Sequence, residues 1–227
     1  MTDRPIIFSA PMVRALIEGR KFQTRRILKP QPVQNVAGLW VWPPVWAASI
    51  KRYGVAVQTD EAGLVQALMY DPARCVGYAP GDRLWVKEAW RIDGAGSRVP
   101  AEMCRLHRAV EYRADGYEPD RHAERSPIFM PRWASRLTLA VTDVRVQRLQ
   151  DMTEADARAE GIMQVEDGLF DYHEHAEIRF KTAKAAFCDL WNSLHGPSSW
   201  GANPWVVALT LEVHHGNIDA VRAKVAG

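Results

Sequence analysis

Apolar and polar positions trade places along this chain in two rhythms. One has the two-residue period of strands and the other the spacing of helices. Pro5 to Phe8 is a short apolar strand. Ser9 then stands where a helix N-cap belongs, and Pro11 suits a first turn. Met12, Val13, Leu16 and Ile17 fall at helical spacing, and Gly19 suits a left-handed stop. Lys21 to Leu28 leaves that turn as an extended segment, ended by Pro30 and Pro32. Pro80-Gly81-Asp82 is a turn, followed by a strand in which Leu84 and Val86 alternate with Trp85 and Lys87.

Further on, Val110 to Arg113 reads as a strand. Leu137, Leu139 and Val141 share one strand face, and Val144 and Val146 follow in the other phase after Asp143. That change of phase predicts a bend or bulge, as a small closed barrel requires. Thr153 caps a short helix that Gly161 ends, with Asp156 at the third helical position. A longer helix is predicted from about His175 to Leu194, with Phe180, Ala183, Phe187, Leu190, Trp191 and Leu194 on its apolar face. Trp205 to Val213 is a closing strand, and beyond Gly216 a short helix or frayed end remains. Between these elements lie stretches of different texture, at about 31–79, 91–127 and 163–200. The first carries Trp40, Trp42 and Trp46 around Pro43-Pro44. No linker or repeat divides the chain, so the pattern predicts one α+β domain over 1–227 with large insertions.

Composition narrows the picture only a little. The 227 residues are 47% hydrophobic and 25% charged, within the ordinary globular range. A net charge of +2 argues against electrostatic wrapping of long nucleic acid but leaves room for a local basic pocket. Cys75, Cys104 and Cys188 are three and widely spaced, which disfavours a disulfide framework. No run approaches the ~18 apolar residues of a membrane span, and the opening residues lack a signal-peptide pattern. A cytoplasmic protein without membrane partners is the expectation.

Candidate chemistry centres on Gly19-Arg20-Lys21 and Thr24-Arg25-Arg26. A threonine hydroxyl becomes a nucleophile when a base removes its proton, and a lysine of lowered pKa can serve. Arg25 and Arg26 would depress Lys21 by repulsion, and burial would act the same way. Residues three apart point to opposite faces of a regular strand, so Lys21 and Thr24 converge only if the chain is still turning. On spacing alone a solvated basic turn fits better. Glu160, at a helix end that disfavours a carboxylate, has the placement of a general acid; an exposed glutamate beside Glu154 and Asp156 is the plainer reading. Trp85 beside Lys87 and Glu88 would stack a base, or simply pack. His173 with His175, and His214 with His215, lack a third ligand, and no metal or cofactor is expected.

Three segments resemble the ASCH family, small PUA-like mixed β-barrels. They are Gly19, Arg20, Lys21, Thr24 and Arg26; the Gly81-Asp82 turn before a strand; and Met152-Thr153-Glu154 through Glu160. Within that family the N4-acetylcytidine amidohydrolases carry this order of motifs. The resemblance implies Lys21 as proton acceptor, Thr24 as nucleophile and Glu160 as proton donor. It spans about 1–29, 80–90, 131–162 and 203–213, and the insertions have no counterpart in those shorter enzymes. Met130 to Arg136 and Trp200-x-x-Asn203-Pro204-Trp205 are similar to prophage-encoded ASCH-like proteins. The expectation is a PUA-like barrel that hydrolyses N4-acylcytidine-type nucleosides, with Arg26, Trp85, Lys87 and Glu88 binding substrate. A non-catalytic module binding RNA or nucleotides through the same residues is the alternative, and a phage assembly or regulatory protein a third.

Overall fold

The structure is a computed structural model that describes residues 2–29, 31–34, 40–41, 58–59, 65–66, 76–92, 110–117, 124–165, 168–172 and 179–225. In chain order its elements begin with β1 (Asp3–Ile7), α1 (Ala10–Ile17), β2 (Gln23–Ile27), β3 (Val33–Gln34) and β4 (Trp40–Val41). They continue with β5 (Gln58–Thr59), β6 (Val65–Gln66), β7 (Arg83–Lys87), β8 (Trp90–Ile92) and β9 (Val110–Tyr112). The remainder are β10 (Leu137–Arg148), α2 (Glu154–Ala159), β11 (Met163–Gln164), β12 (Phe170–Asp171), α3 (Ala183–His195), β13 (Trp205–His215) and α4 (Ile218–Val225). No helix among the described residues is long and apolar enough to cross a membrane.

The chain divides into two compact units. The first comprises Met1–Phe22, Gly81–Val141 and Leu211–Gly227, and the second Gln23–Pro80 and Thr142–Thr210. In the first, β1 runs parallel to β7 with Asp3 opposite Arg83 and Ile7 opposite Lys87. β10 joins β7 antiparallel, Thr138 opposite Trp85. Alternation buries Ile6, Leu84, Val86, Leu137 and Leu139. Each such side chain removed from water contributes about 1.5–3 kcal/mol. The Gly81-Asp82 turn forms as expected: Gly81 has φ +88 and donates its N–H to Val141 O at 2.8 Å. Asp82 is buried and accepts from the backbone N–H and hydroxyl of Thr2 at 2.8 and 2.9 Å, a structural role.

In the second unit, β2 pairs antiparallel with β13, from Ile27 opposite Val206 to Gln23 opposite Thr210. Val206, Val207, Ala208 and Leu209 are all buried, so this part of β13 is covered on both faces. α2 begins in a reciprocal cap. Thr153 Oγ1 accepts from Asp156 N at 3.1 Å, and Asp156 Oδ2 accepts from Thr153 N at 3.0 Å. Gly161, at φ +102, ends it. Glu154 on α2 accepts from Ala183 N at 2.8 Å, satisfying an orphan donor at the start of α3 and tying the two helices together. Leu149, Met152, Ile162, Phe170, Phe187, Trp191 and Val206 form the core between them.

Three expectations need adjusting. α3 starts at Ala183, not near His175, because Thr182 caps it through Ala185 N at 3.1 Å. Phe180 instead bridges to Phe170 as extended chain, while residues 173–178 lie outside the described residues. Leu194 is half-exposed, outside the buried face. The change of phase after Val141 falls within one continuous strand, where the chain passes from the first unit to the second. The largest correction concerns the barrel. The five main strands follow the order β1-β7-β10-β13-β2, which has two ends, so among the described residues the sheet is not closed. The fold is α+β with a mainly sheet core. At the β2 end the polar side chains of the strand engage a helix, as described next. The Trp42 and Trp46 readings lie outside the described residues.

Candidate active site

The stretch after α1 is not a solvated turn. Gly19 adopts φ +71, and Arg20 N and Lys21 N both donate to Ala15 O at 2.9 Å, which closes the helix end. Arg20 is partly exposed and pairs with Glu18. Lys21, by contrast, is 1% exposed, with Nζ 5.7 Å from the Phe8 ring centroid. Lys21 belongs to the first unit and Thr24 to the second. The burial of a lysine to this extent is uncommon unless it is paired.

In the second unit, Gln23, Thr24 and Arg25 are consecutive buried polar residues on β2. Pleating places Thr24 and Arg26 on one face of the strand and Gln23 and Arg25 on the other. Glu160, 136 residues beyond Thr24, caps the C-terminus of α2 and is 6% exposed. The exposed-glutamate reading therefore does not hold. Its carboxylate Oε1 accepts from Arg25 Nη1 at 3.0 Å, and the same nitrogen donates to Gln23 Oε1 at 3.2 Å. Burial lowers the pKa of the Arg26 guanidinium, opposed by the charges of Tyr78 and Glu160. Glu160 thus bonds to one face of β2 while its field reaches Arg26 on the face of Thr24.

Asp156 completes the cluster. Its Oδ1 accepts from Arg145 Nη2 at 2.8 Å and lies 3.4 Å from Arg25 Nη2. Burial alone would raise its carboxyl. The Thr153 backbone N–H, Arg145, the Thr153 hydroxyl and the Arg25 charge together hold it well below the usual carboxylate range. Arg25 was not among the residues marked as a site from sequence. Two signals pointed to it. One was a run of three polar residues in a strand opposite buried Ala208 and Leu209. The other was the i, i+4 spacing of Asp156 and Glu160, which sets two carboxylates on one helix face.

The remaining candidates sit in the first unit and have partners of their own. Lys87 Nζ lies 5.4 Å from the Trp85 ring centroid and donates to Ile128 O; burial lowers the Lys87 pKa. Glu88 is 1% exposed and clamped by Arg136, Nε to Oε1 at 2.9 Å and Nη2 to Oε2 at 3.0 Å. Trp85 is half-buried, whereas Trp90 is fully buried with Met130 and Ala134. Among the described residues no three His, Cys, Asp or Glu side chains gather as a metal site.

Compared with protein-family models, with curated proteins and with solved structures, the chain matches none.

Proposed function

We propose that the protein is an amidohydrolase that removes the acyl group from N4-acylcytidine-type nucleosides, giving cytidine and a carboxylate. The observation that carries this reading is the buried pair of Glu160 and Arg25. It brings a carboxylate from a distant helix to the strand that holds Thr24. The fold buries a carboxylate, an arginine and a threonine at one strand end although each loses hydration. Active sites commonly do so. The resemblance of Lys21, Thr24, Arg26 and Glu160 to ASCH-type amidohydrolases supplies the reaction class.

In this reading Thr24 Oγ1 attacks the amide carbonyl carbon, and Lys21 has the proton-acceptor role that the ASCH resemblance gives it. The carbon–nitrogen bond then breaks, and Glu160 delivers a proton to the departing N4 of cytosine. Water releases the acyl group from Thr24 as a carboxylate. Arg26 contributes positive charge on the Thr24 face for the oxyanion of the tetrahedral intermediate. Incubation with N4-acetylcytidine followed by chromatography tests this. Release of cytidine and acetate supports it. RNA binding with a steep salt dependence and no turnover would instead favour the non-catalytic module.

A further inference from the structure

The guanidinium of Arg25 stands between two carboxylates and is bonded to only one of them. Its side chain is 0% exposed, yet among the described residues Nε and Nη2 have no hydrogen-bond partner. Two other arginines use that edge: Arg83 donates through Nε and Nη2 to Asp3 at 3.0 and 2.9 Å, and Arg136 clamps Glu88 in the same way. An arginine serving the fold alone would be expected to engage the edge likewise, because buried donors left unmade are costly. Arg25 instead holds Glu160 through Nη1 at 3.0 Å and leaves Nη2 at 3.4 Å from Asp156 Oδ1, short of bonding alignment.

We propose that Arg25 is a positioning residue that changes partner during turnover, releasing Glu160 toward Asp156 so that the Glu160 carboxyl holds the proton it delivers. The inference rests on the hydrolase reading above. While Glu160 Oε1 accepts from Arg25 Nη1 it cannot also be the O–H that donates to the leaving amine, so Arg25 must let go of it. Asp156 provides the second station. It is fixed by the Thr153 cap and by Arg145, and needs no movement of its own. The released carboxylate takes its proton from solvent water; once it has given that proton to the leaving amine it is again a carboxylate, and Arg25 returns to it. The charged groups facing the pair are Arg26, which feels the charge of Glu160, and Arg145, on the far side of Asp156.

The test is hydrolysis of N4-acetylcytidine by Asp156→Asn, Asp156→Glu, Arg25→Lys and Thr153→Val. Asp156→Asn removes the second station, so kcat should fall by a large part of the ~10²–10⁴-fold that an acid–base group contributes, with KM changed by less than about threefold. Asp156→Glu, which restores the charge, should recover most of the loss. Arg25→Lys cannot face two carboxylates at once and should lower kcat alone. Should Asp156→Asn fail to fold, Arg25→Lys still decides. Thr153→Val removes the hydroxyl bond to Asp156 Oδ2 but keeps the Thr153 N–H, Arg145 and every charge in place, so its kcat should stay near the wild-type value. Wild-type kcat in Asp156→Asn or Arg25→Lys overturns the proposal and leaves the hydrolase reading standing, as does an equal loss in Thr153→Val. A wild-type protein that releases no cytidine overturns both.

Discussion

Two buried glutamates in this chain meet arginines in different ways. Glu88 in the first unit is held by both nitrogens of one Arg136 edge, while Arg136 Nη1 bonds Asp115 at 2.8 Å and its guanidinium carbon lies 3.9 Å from the Tyr112 ring centroid. Glu160 in the second unit accepts from Arg25 Nη1 at 3.0 Å, while Nη2 of the same arginine lies 3.4 Å from Asp156 Oδ1. A bidentate clamp fixes geometry and charge together. In the hydrolase reading the same two residue types serve as a structural joint in one place and as an acid with its positioning partner in the other.

The largest effect expected from this contrast is kinetic. Glu160→Gln keeps an acceptor for Arg25 Nη1 but cannot deliver a proton, so turnover should fall ~10²–10⁴-fold with little change in Tm. Glu88→Gln should leave turnover within severalfold of the wild type. Equal losses of activity in both variants would erase the distinction.

Next comes stability. Glu88→Ala leaves Arg136 without its clamp beside a buried space, and removing one partner of such a pair costs about 3 kcal/mol or more. Urea denaturation should report that loss in Glu88→Ala. Thr153→Ala, which removes only the α2 cap, should cost ~1 kcal/mol. A smaller loss in Glu88→Ala than in Thr153→Ala would show that the clamp is not a structural joint.

The smallest effect is in pH, and the two units differ in sign. Asp156 is held below the usual carboxylate range, so its contribution is present above an unfolded value of about 4 and is lost as pH falls toward the folded one. The carboxyl of Glu88 is raised, by burial first and by Asp115, with Arg136 opposing. Its contribution therefore declines as pH rises from an unfolded value of about 4.3 through the folded one. Urea midpoints from pH 2 to 7 should show a shallower acid-side loss in Asp156→Asn. In Glu88→Gln the decline on the alkaline side of that window should disappear. The opposite pattern would reverse both assignments.

These contrasts also show what was readable from residue order. Local signals were faithful: Pro11 in the first turn of α1, the Thr153–Asp156 box, Gly161 and the long strands β10 and β13 all depend on neighbours in sequence. Ser9 holds its position without a side-chain bond. Glu160 and Lys21 were legible as candidates but not as buried groups, since burial depends on what packs against them. The partner of Glu160 was missed because Arg25 and Glu160 are 135 residues apart and only the fold brings them together. The barrel was over-read for a related reason. Strand patterns predict that strands exist, but closure depends on which edges pair, and the edge strand β2 turns its polar run to α2.

The most direct measurement is the rate of cytidine release from N4-acetylcytidine by the wild-type protein beside Thr24→Ala and Glu160→Gln at matched folded fractions. Steady release by the wild type, reduced at least a hundredfold in both variants without a matching fall in Tm, is the expected result. Undiminished release by Thr24→Ala and Glu160→Gln, or none by the folded wild type, would contradict a hydrolase built on β2 and the end of α2.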